Sequence, residues 1–302
     1  KGKLLAVLQH ENYVSNAVFS PDGQKILTAS GDGKTRLWDI KGKLLAEFRW
    51  HESEVNTAVF SPDGTEILTA SRDKTARLWN FAGAIASRSE QQNALQNFQA
   101  NVSKNNFQIG LFPEKGIFSP DGKQILTTST DNTVTLWDIK GNSLATLRGH
   151  TNYISSKVFN HKKNQILTTS GDKSAILWDK QGNILAKFIG HQDIIIQAIF
   201  SPDGEQILTA SWDKTARLWD SKGNLLTIIP HNEWIKSAVF SPDGEKILTA
   251  GDDKIARLWD KKGNLIAKFS GHTQAIFQAV FSPDGEKVLT VSRDRTAIMW
   301  DK

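Results

Sequence analysis

Histidine, aspartate and threonine residues recur at fixed distances before a repeated tryptophan in this chain. Each such Asp lies 6 residues before its Trp, each Thr lies 10 before, and each His lies 28 before. Imidazole and carboxylate groups are common zinc ligands and common acid/base catalysts. The recurring residues are His10, His51, His150, His191, His231, His272, Asp32, Asp73, Asp131, Asp172, Asp213, Asp253, Asp294, Thr28, Thr69, Thr127, Thr168, Thr209, Thr249 and Thr290.

Metal binding or catalysis needs such groups to converge, and their spacing argues against convergence. Each unit of the repeat carries at most one of these His and one of these Asp, so successive copies belong to different structural units. His161 is the one histidine outside the pattern, and it lies in a polar stretch beside Lys162 and Lys163. No nucleophile-elbow, zinc-protease or phosphate-loop motif is present. We therefore predict no catalytic residue, no metal and no cofactor.

The repeated tryptophans define the elements that must position these side chains. Successive tryptophans are separated by 41, 58, 41, 41, 40 and 41 residues. A period of about 40 to 45 residues that ends in Trp-Asp predicts one β-propeller blade per repeat. The pairs are Trp38-Asp39, Trp79-Asn80, Trp137-Asp138, Trp178-Asp179, Trp219-Asp220, Trp259-Asp260 and Trp300-Asp301.

The repeat that ends at Trp219 shows how one unit folds. Four short apolar runs are separated by turn residues, of which Ser201-Pro202-Asp203-Gly204 is the clearest group. Proline presets φ, aspartate bonds to its own backbone, and glycine allows a positive φ. We predict an all-β, seven-bladed β-propeller that forms a single domain over residues 1–302. The four predicted strands of this unit cover 194–200, 206–211, 215–219 and 225–229.

The two chain ends have complementary patterns. Repeat 7 stops at Asp301-Lys302, where the other repeats continue into a turn and a fourth strand. Residues 1–8 resemble that missing piece, as a comparison with residues 262–266 shows. We therefore predict that the N-terminal strand completes the last blade and closes the ring, which removes an open sheet edge.

On these residues the chain resembles the WD40 repeat family over its whole length. The resemblance implies that the Trp, Thr, His and Asp of each repeat form a hydrogen-bonded relay inside their blade. Buried indole and imidazole groups need such partners. Repeat 3 has Ile109 where the other repeats have His, so we expect its relay to be incomplete.

The resemblance also implies where a partner would bind. In WD40 proteins, the residue before the Asp and those three and five after the His typically contact partners. Aromatic side chains with arginine at their edge have the composition of an interface, although some could instead pack against neighbouring loops. We expect binding to centre on repeats 5 and 6. The expected partner-binding residues are Trp212, Trp234, Ile194, Ile196, Tyr153, Tyr13, Trp50, Phe112, Phe277, Arg72 and Arg293.

An insertion interrupts the repeat at about 84–115, between repeats 2 and 3. The 58-residue spacing there exceeds the usual 41 by 17 residues. Ser87-Arg88-Ser89-Glu90 fits a helix capping box, and Leu95, Phe98 and Val102 follow at helical spacing. We predict one short amphipathic helix over roughly 88–100.

Charge and composition set weaker limits. The net charge is +5, from 37 basic and 32 acidic side chains, and lysines recur in the turns after each Trp-Asp. They suggest a nucleic-acid or anionic-surface binder as an alternative, but no aromatic residues alternate with them for base stacking. The chain has no cysteine, which fits a reducing, cytoplasmic location. It also lacks an apolar run of membrane-spanning length, and because residue 1 is Lys we expect a fragment or processed product.

The sequence most resembles bacterial WD40 arrays of closely similar repeats, those of cyanobacteria especially. Such arrays commonly end large modular proteins that also carry signalling or effector domains. The resemblance implies a non-catalytic scaffold or recognition module whose partner is a protein, a peptide or another domain of the same parent chain. Membrane binding is not expected. A second alternative is a small-ligand or enzymatic site in the central channel.

Overall fold

A computed structural model describes residues 3–49, 51–60, 64, 66–73, 76–80, 117–121, 123–129, 131–138 and 142–302. Every regular element in these ranges is a β-strand. Several predictions fall outside the described residues, namely those on Trp50, Ile109, Phe112, the insertion at 84–115 and its helix at 88–100. The described residues divide into two compact units, one within 1–106, 254–256 and 267–302, and the other within 107–253 and 257–266.

The first unit contains three of the sheets that the described strands form. Sheets are numbered here by the repeat that supplies most of their strands. Sheet 1 has the order β2 (Val14–Phe19), β3 (Lys25–Ser30), β4 (Thr35–Asp39), β5 (Leu44–Phe48). Sheet 2 has the order β6 (Val55–Phe60), β7 (Glu66–Ser71), β8 (Ala76–Asn80). Sheet 7 has the order β1 (Lys3–Gln9), β27 (Thr296–Asp301), β26 (Lys287–Ser292), β25 (Ile276–Phe281).

The second unit contains three further sheets and most of a fourth. Sheet 3 comprises β9 (Ile117–Phe118), β10 (Gln124–Thr128), β11 (Val134–Asp138), β12 (Ser143–Leu147). Sheet 4 comprises β13 (Ile154–Phe159), β14 (Gln165–Ser170), β15 (Ser174–Asp179), β16 (Ile184–Ile189). Sheet 5 comprises β17 (Ile195–Phe200), β18 (Gln206–Ser211), β19 (Thr215–Asp220), β20 (Leu225–Pro230). Sheet 6 comprises β21 (Ile235–Phe240), β22 (Lys246–Gly251), β23 (Ile255–Asp260), β24 (Leu265–Ser270).

Successive strands of a repeat lie side by side in antiparallel pairs, as the repeat predicts. In sheet 5 the first turn is fixed by Ser201, whose Oγ accepts the backbone N–H of Gln206 at 2.9 Å. Asp203 accepts the N–H of Glu205 at 3.0 Å, and Gly204 has a φ of 78°, in the left-handed region that favours glycine. The same Ser-Pro-Asp-Gly chemistry therefore brings β17 and β18 back against each other.

The predicted pairing of the two chain ends is present. Strand β1 pairs antiparallel with β27, in a register that runs from Lys3 opposite Asp301 to Gln9 opposite Thr296. Leu8 is fully buried there, in a cluster that includes Leu289 and Met299. The N-terminal strand is thus the outer strand of the sheet that holds Trp300.

The core lies between neighbouring sheets within each unit. The inner strands β18 and β22 are buried over five consecutive residues, including the polar residues Thr209, Ser211 and Thr249. Outer strands such as β20 are half exposed, with Leu225 and Leu226 at 43% and 47% exposure. Since the faces of the inner strands are covered, only strand ends and turns remain there to carry a binding site.

Candidate binding site and the buried polar relay

Sheet 5 holds the full polar series that the repeat implies. Trp219 Nε1 donates to Thr209 Oγ1 at 2.9 Å, and the same hydroxyl lies 2.7 Å from His191 Nε2. His191 Nδ1 lies 2.7 Å from Asp213 Oδ2, so Nδ1–H donates to the carboxylate and Nε2 accepts from the hydroxyl. Every polar atom of the imidazole is therefore satisfied inside the sheet.

Sheets 2, 4 and 7 repeat the His–Asp contact. The Nδ1–Oδ2 distances are 2.7 Å for His51 and Asp73, 2.8 Å for His150 and Asp172, and 2.9 Å for His272 and Asp294. In each case Nε2 lies within 2.9 Å of the repeat threonine, which is Thr69, Thr168 or Thr290.

In sheets 1 and 6 the repeat aspartate does not accept a hydrogen bond from the histidine, because an arginine donates to its carboxylate instead. In sheet 6, Arg257 Nη1 donates to Asp253 Oδ2 at 2.6 Å and lies 3.3 Å from His231 Nδ1, while that carboxylate is 3.7 Å from the histidine. In sheet 1, Arg36 donates to Asp32 at 2.8 Å, and His10 Nδ1 lies 3.0 Å from the carbonyl oxygen of Leu8.

The residue two positions after the Asp explains the difference. Where it is Ser174, Thr215 or Thr296, its hydroxyl donates to the carboxylate, as Thr215 does to Asp213 at 2.6 Å. This bond holds Asp213 towards His191 even though Arg217 is available, 3.6 Å away. Sheets 1 and 6 have Lys34 and Ile255 at that position, which cannot hold the carboxylate in this way, and the arginine four residues after the Asp takes it.

An arginine donor also changes the expected histidine tautomer. Guanidinium has no acceptor, so Arg257 can bond to His231 Nδ1 only when that nitrogen is unprotonated. The proton then lies on Nε2, which is 2.6 Å from Thr249 Oγ1. We therefore infer opposite tautomers for His191 and His231, which occupy equivalent positions of their repeats.

Burial lowers the pKa of His10, His191, His231 and His272, which favours their neutral forms. Burial, opposed by the hydrogen bond to Asp213, lowers the pKa of His191. Burial and the Arg36 charge lower the pKa of His10 further, to about 4. Burial alone would raise the pKa of Asp213, but hydrogen bonds from His191 and Thr215 hold that pKa well below its usual range. These pKa shifts follow from structural hydrogen bonds and do not mark an acid/base pair that faces solvent.

Sheet 3 carries a reduced version of the relay. Trp137 Nε1 donates to Thr127 Oγ1 at 2.7 Å, as in the other sheets. The Asp131 side chain is 53% exposed, accepts from the Thr133 hydroxyl at 2.6 Å and lies 3.6 Å from Arg148. Its carboxylate is thus a surface group, unlike the buried Asp213.

Among the described residues, no group of three or more His, Cys, Asp or Glu side chains is arranged to hold a metal ion. That part of the chain also contains no helix long and apolar enough to cross a membrane. Within the described sheets, the relay polar groups bond to one another. The strand ends carry the side chains that the relay does not use.

One backbone contact recurs at these strand ends. The residue before the Asp donates its N–H to the carbonyl of the residue three after the His, as Trp212 does to Ile194 at 3.0 Å and Asp252 to Trp234 at 3.0 Å. The two positions expected to contact partners are therefore cross-strand neighbours in each of these sheets. Their side chains vary from sheet to sheet, which makes this end of the repeat the variable one.

In the first unit, the varied side chains pack on one another. The ring of Tyr13 lies over Gly31, where a Cβ would be 2.6 Å from it, and meets Phe277 edge-on at 5.9 Å. Burial and a hydrogen bond to Glu54 raise the pKa of Tyr13, and Glu54 also accepts from Arg72 at 2.8 Å. Phe277 packs against the core as well. Arg293 is exposed at the equivalent position of sheet 7.

In the second unit, Trp212 and Trp234 stack face to face. Their ring centroids are 4.9 Å apart and their planes differ by 13°. Trp234 is 43% exposed and Trp212 is partly buried. The pair joins the end of sheet 5 to the end of sheet 6.

The other described partner-binding residues expected in this unit are either more buried than Trp234 or lie in a different sheet from the stacked tryptophans. Ile194 is partly buried opposite Trp212, and Ile196 packs against the core between sheets 5 and 6. Tyr153 is 46% exposed and lies over Gly171 in sheet 4. The stacked tryptophans are therefore the most open aromatic group that the expected residues of repeats 5 and 6 form.

Two ion pairs flank the stack. Lys236 Nζ lies 3.0 Å from Asp252, and Lys214 Nζ lies 3.2 Å from Glu233. Reading the sequence did not pair Lys214 with Glu233, because the two residues belong to different repeats. Their signal was only that each occupies a turn beside an expected aromatic residue.

Comparisons with known proteins agree with this architecture. The family model described as "IFT122 first beta-propeller" matches residues 115–302, and the model "WD domain, G-beta repeat" matches residues 2–39 and 42–80. A relative, guanine nucleotide-binding protein subunit beta-5b of Danio rerio, is 45% identical over 47 residues. That segment covers 15% of this chain and only 12% of the relative. The chain therefore belongs to the WD40-repeat β-propeller family.

Proposed function

We propose that the chain is a non-catalytic recognition module that binds a protein or peptide through the stacked Trp212 and Trp234. The observation that carries this proposal is the exposed, ordered stack at strand ends, where the repeat itself does not require tryptophan. Tryptophan is among the residues most enriched in interface hot spots. Membership of the WD40 family, whose members generally bind proteins, supports the proposal.

The stack is suited to recognition because it is already ordered before a partner arrives. Two backbone hydrogen bonds and two ion pairs fix its flanks, so little side-chain entropy is lost on binding. The flanking charges neutralise each other in pairs. We therefore expect the partner contact to be mainly apolar and only weakly dependent on salt.

A peptide-display selection followed by titration of the selected synthetic peptide tests this proposal. Trp212→Ala and Trp234→Ala should each weaken binding by about tenfold or more, while the exposed outer-strand variant Leu226→Ala, a matched control in sheet 5, should bind normally. Selected peptides that bind all three variants equally would contradict the proposal. Single-stranded DNA that binds the parent with a steep salt dependence would instead favour the turn lysines.

We also propose that the sheets form a single domain of seven blades whose ring is closed by β1. The pairing of β1 with β27 and the burial of Leu8 support closure. Deleting residues 1–8 should lower the melting temperature sharply, because it removes a whole strand from sheet 7. An unchanged melting temperature would contradict closure.

We also propose a larger protein context for this domain. The short match to a G-protein β subunit and the repeat type support a recognition domain of a modular signalling protein, for which we propose a cytoplasmic location. Other domains of the same parent chain are then natural partners. The coding sequence upstream of residue 1 tests this directly, since a continuous reading frame into an effector domain is expected and a start codon immediately before residue 1 would contradict it.

A further inference from the structure

Repeat 6 lacks a serine that all the other repeats share. This serine lies two residues before the Asp, and repeat 6 has Gly251 in its place. The serines of the other repeats are Ser30, Ser71, Ser129, Ser170, Ser211 and Ser292.

The shared serine ties two loops of its sheet together. In sheet 5, Ser211 Oγ donates to the carbonyl of Asp193 at 3.0 Å and accepts the N–H of Asp213 at 3.0 Å. In sheet 4, Ser170 makes the same two bonds, to Asn152 at 2.9 Å and from Asp172 at 3.0 Å. The loop after the His is thus held to the turn that carries the Asp.

In sheet 6 the backbone of Trp234 occupies the space that a side chain at position 251 would need. A Cβ on Gly251 would overlap the carbonyl oxygen of Trp234 and would lie 2.9 Å from its carbonyl carbon and 3.0 Å from Ile235 Cα. Those neighbours are backbone atoms, which cannot swing aside as a flexible side chain would. The glycine is therefore required by a close approach.

This close approach fixes the backbone from which the indole of Trp234 projects. The carbonyl of Trp234 also accepts the N–H of Asp252 at 3.0 Å, and Lys236 pairs with Asp252 at 3.0 Å. Any side chain at 251 must push the Trp234 backbone away from β22. Such a shift carries the indole with it and moves it relative to Trp212 in sheet 5.

We propose that Gly251 is the positioning residue of the Trp212–Trp234 pair. The positioning role stands on the close approach alone, while its importance for binding rests on the proposed function. Serine is the residue of the ordinary repeat, so Gly251→Ser should keep the fold and disturb the tryptophans.

Circular dichroism of the purified chain tests the positioning without any partner. Two stacked indoles couple their absorption and give paired bands of opposite sign, and Trp212→Phe defines the spectrum without that coupling. Gly251→Ser and Gly251→Ala should both lose at least half of the couplet while melting within a few degrees of the parent. Ser170→Gly, which removes the serine bonds of sheet 4, should keep the full couplet.

A retained couplet in both Gly251 variants would overturn the proposal. Unfolding of both would also overturn it, because Gly251 would then be a requirement of the fold. Titration with the display-selected peptide separates the positioning role from the proposed binding site. The affinity of Gly251→Ser for this peptide should be about tenfold weaker than that of the parent. A lost couplet with unchanged peptide binding would support the positioning role and contradict the proposed binding site.

Discussion

Trp212 and Asp213 are consecutive residues, but the side chain of Asp213 lies in the buried relay and that of Trp212 lies in the aromatic stack. The Asp213 carboxylate is buried and bonded to His191 and Thr215. The indole of Trp212 is stacked at the strand end on the exposed Trp234 of the next sheet. The first is set by a position that every repeat keeps, and the second by a position that changes from repeat to repeat.

The difference separates stability from recognition within one turn. A buried hydrogen-bonded network satisfies its own polar groups, so it has no capacity left for a ligand. An exposed aromatic pair leaves apolar surface in water, which a partner can cover. The relay should therefore control unfolding and leave binding alone, and the stack should do the reverse.

Acid should act on the relay most strongly of all. The pKa of His10 is lowered from the usual 6.5 to about 4. As the pH falls, His10 is therefore protonated near pH 6.5 in the unfolded chain but only near pH 4 in the folded chain. Protons then favour unfolding, and the free energy of unfolding should fall by on the order of 3 kcal/mol for His10 across that window. The lowered pKa of Asp213 adds a further loss below about pH 4.

Urea unfolding at a series of pH values measures this loss. His10→Gln, which cannot take up the proton, should show a shallower decline between about pH 6.5 and pH 4. Identical slopes for the parent and this variant would contradict the burial of a neutral His10.

Removal of relay groups should come next in size. His191→Ala or Asp213→Ala should each lower the free energy of unfolding by about 1–3 kcal/mol, because each leaves a buried polar partner unsatisfied. Asp131→Ala should lower it by less, about 0.5 kcal/mol, because that carboxylate is half exposed. Equal losses in urea unfolding would show that exposure does not distinguish the two aspartates.

Much of the fold could be predicted from the sequence, because the repeat supplies it seven times. The strands of sheet 5 agree with the prediction to within one residue at each end. The pairing of β1 with β27 was predictable because residues 1–8 match the start of a fourth strand elsewhere in the repeat. Such local signals suffice where one repeat needs only its own residues.

The departures of sheets 1 and 6 have a sign in the sequence, but that sign does not by itself predict them. Lys34 and Ile255 replace a hydroxyl residue, and an arginine follows two positions later. The carboxylate can accept a short hydrogen bond from the hydroxyl two residues later or form an ion pair with the arginine four residues later. The spacing of these residues does not decide which interaction forms.

Exchanging the hydroxyl should convert one kind of relay into the other, with a smaller effect on stability. Thr215→Val should release Asp213 to Arg217, and Ile255→Thr should return Asp253 to His231. We expect changes of about 0.5–1.5 kcal/mol, a loss for the first and a gain for the second. Nitrogen NMR of the imidazoles checks the geometry, since His231 should change from the Nε2–H to the Nδ1–H tautomer in Ile255→Thr. An unchanged tautomer would show that the hydroxyl is not the deciding group.

The stacked tryptophans could be predicted only as candidates. Trp212 and Trp234 occupy different positions of different repeats, so their contact depends on how sheets 5 and 6 pack. The missing serine at Gly251 was visible, but its meaning required the position of the Trp234 carbonyl. Features that depend on two repeats at once, such as this stack, therefore require the packing of the sheets to be known.

The most direct test compares Trp212→Ala with Asp213→Ala, two neighbours in the chain, by measuring both the melting temperature and the affinity for a display-selected peptide. Trp212→Ala should melt within a few degrees of the parent and bind about tenfold or more weakly. Asp213→Ala should melt clearly lower and, while still folded, bind the peptide like the parent. Trp212→Ala that unfolds, or Asp213→Ala that folds stably but loses the peptide, would contradict the separation of stability from recognition.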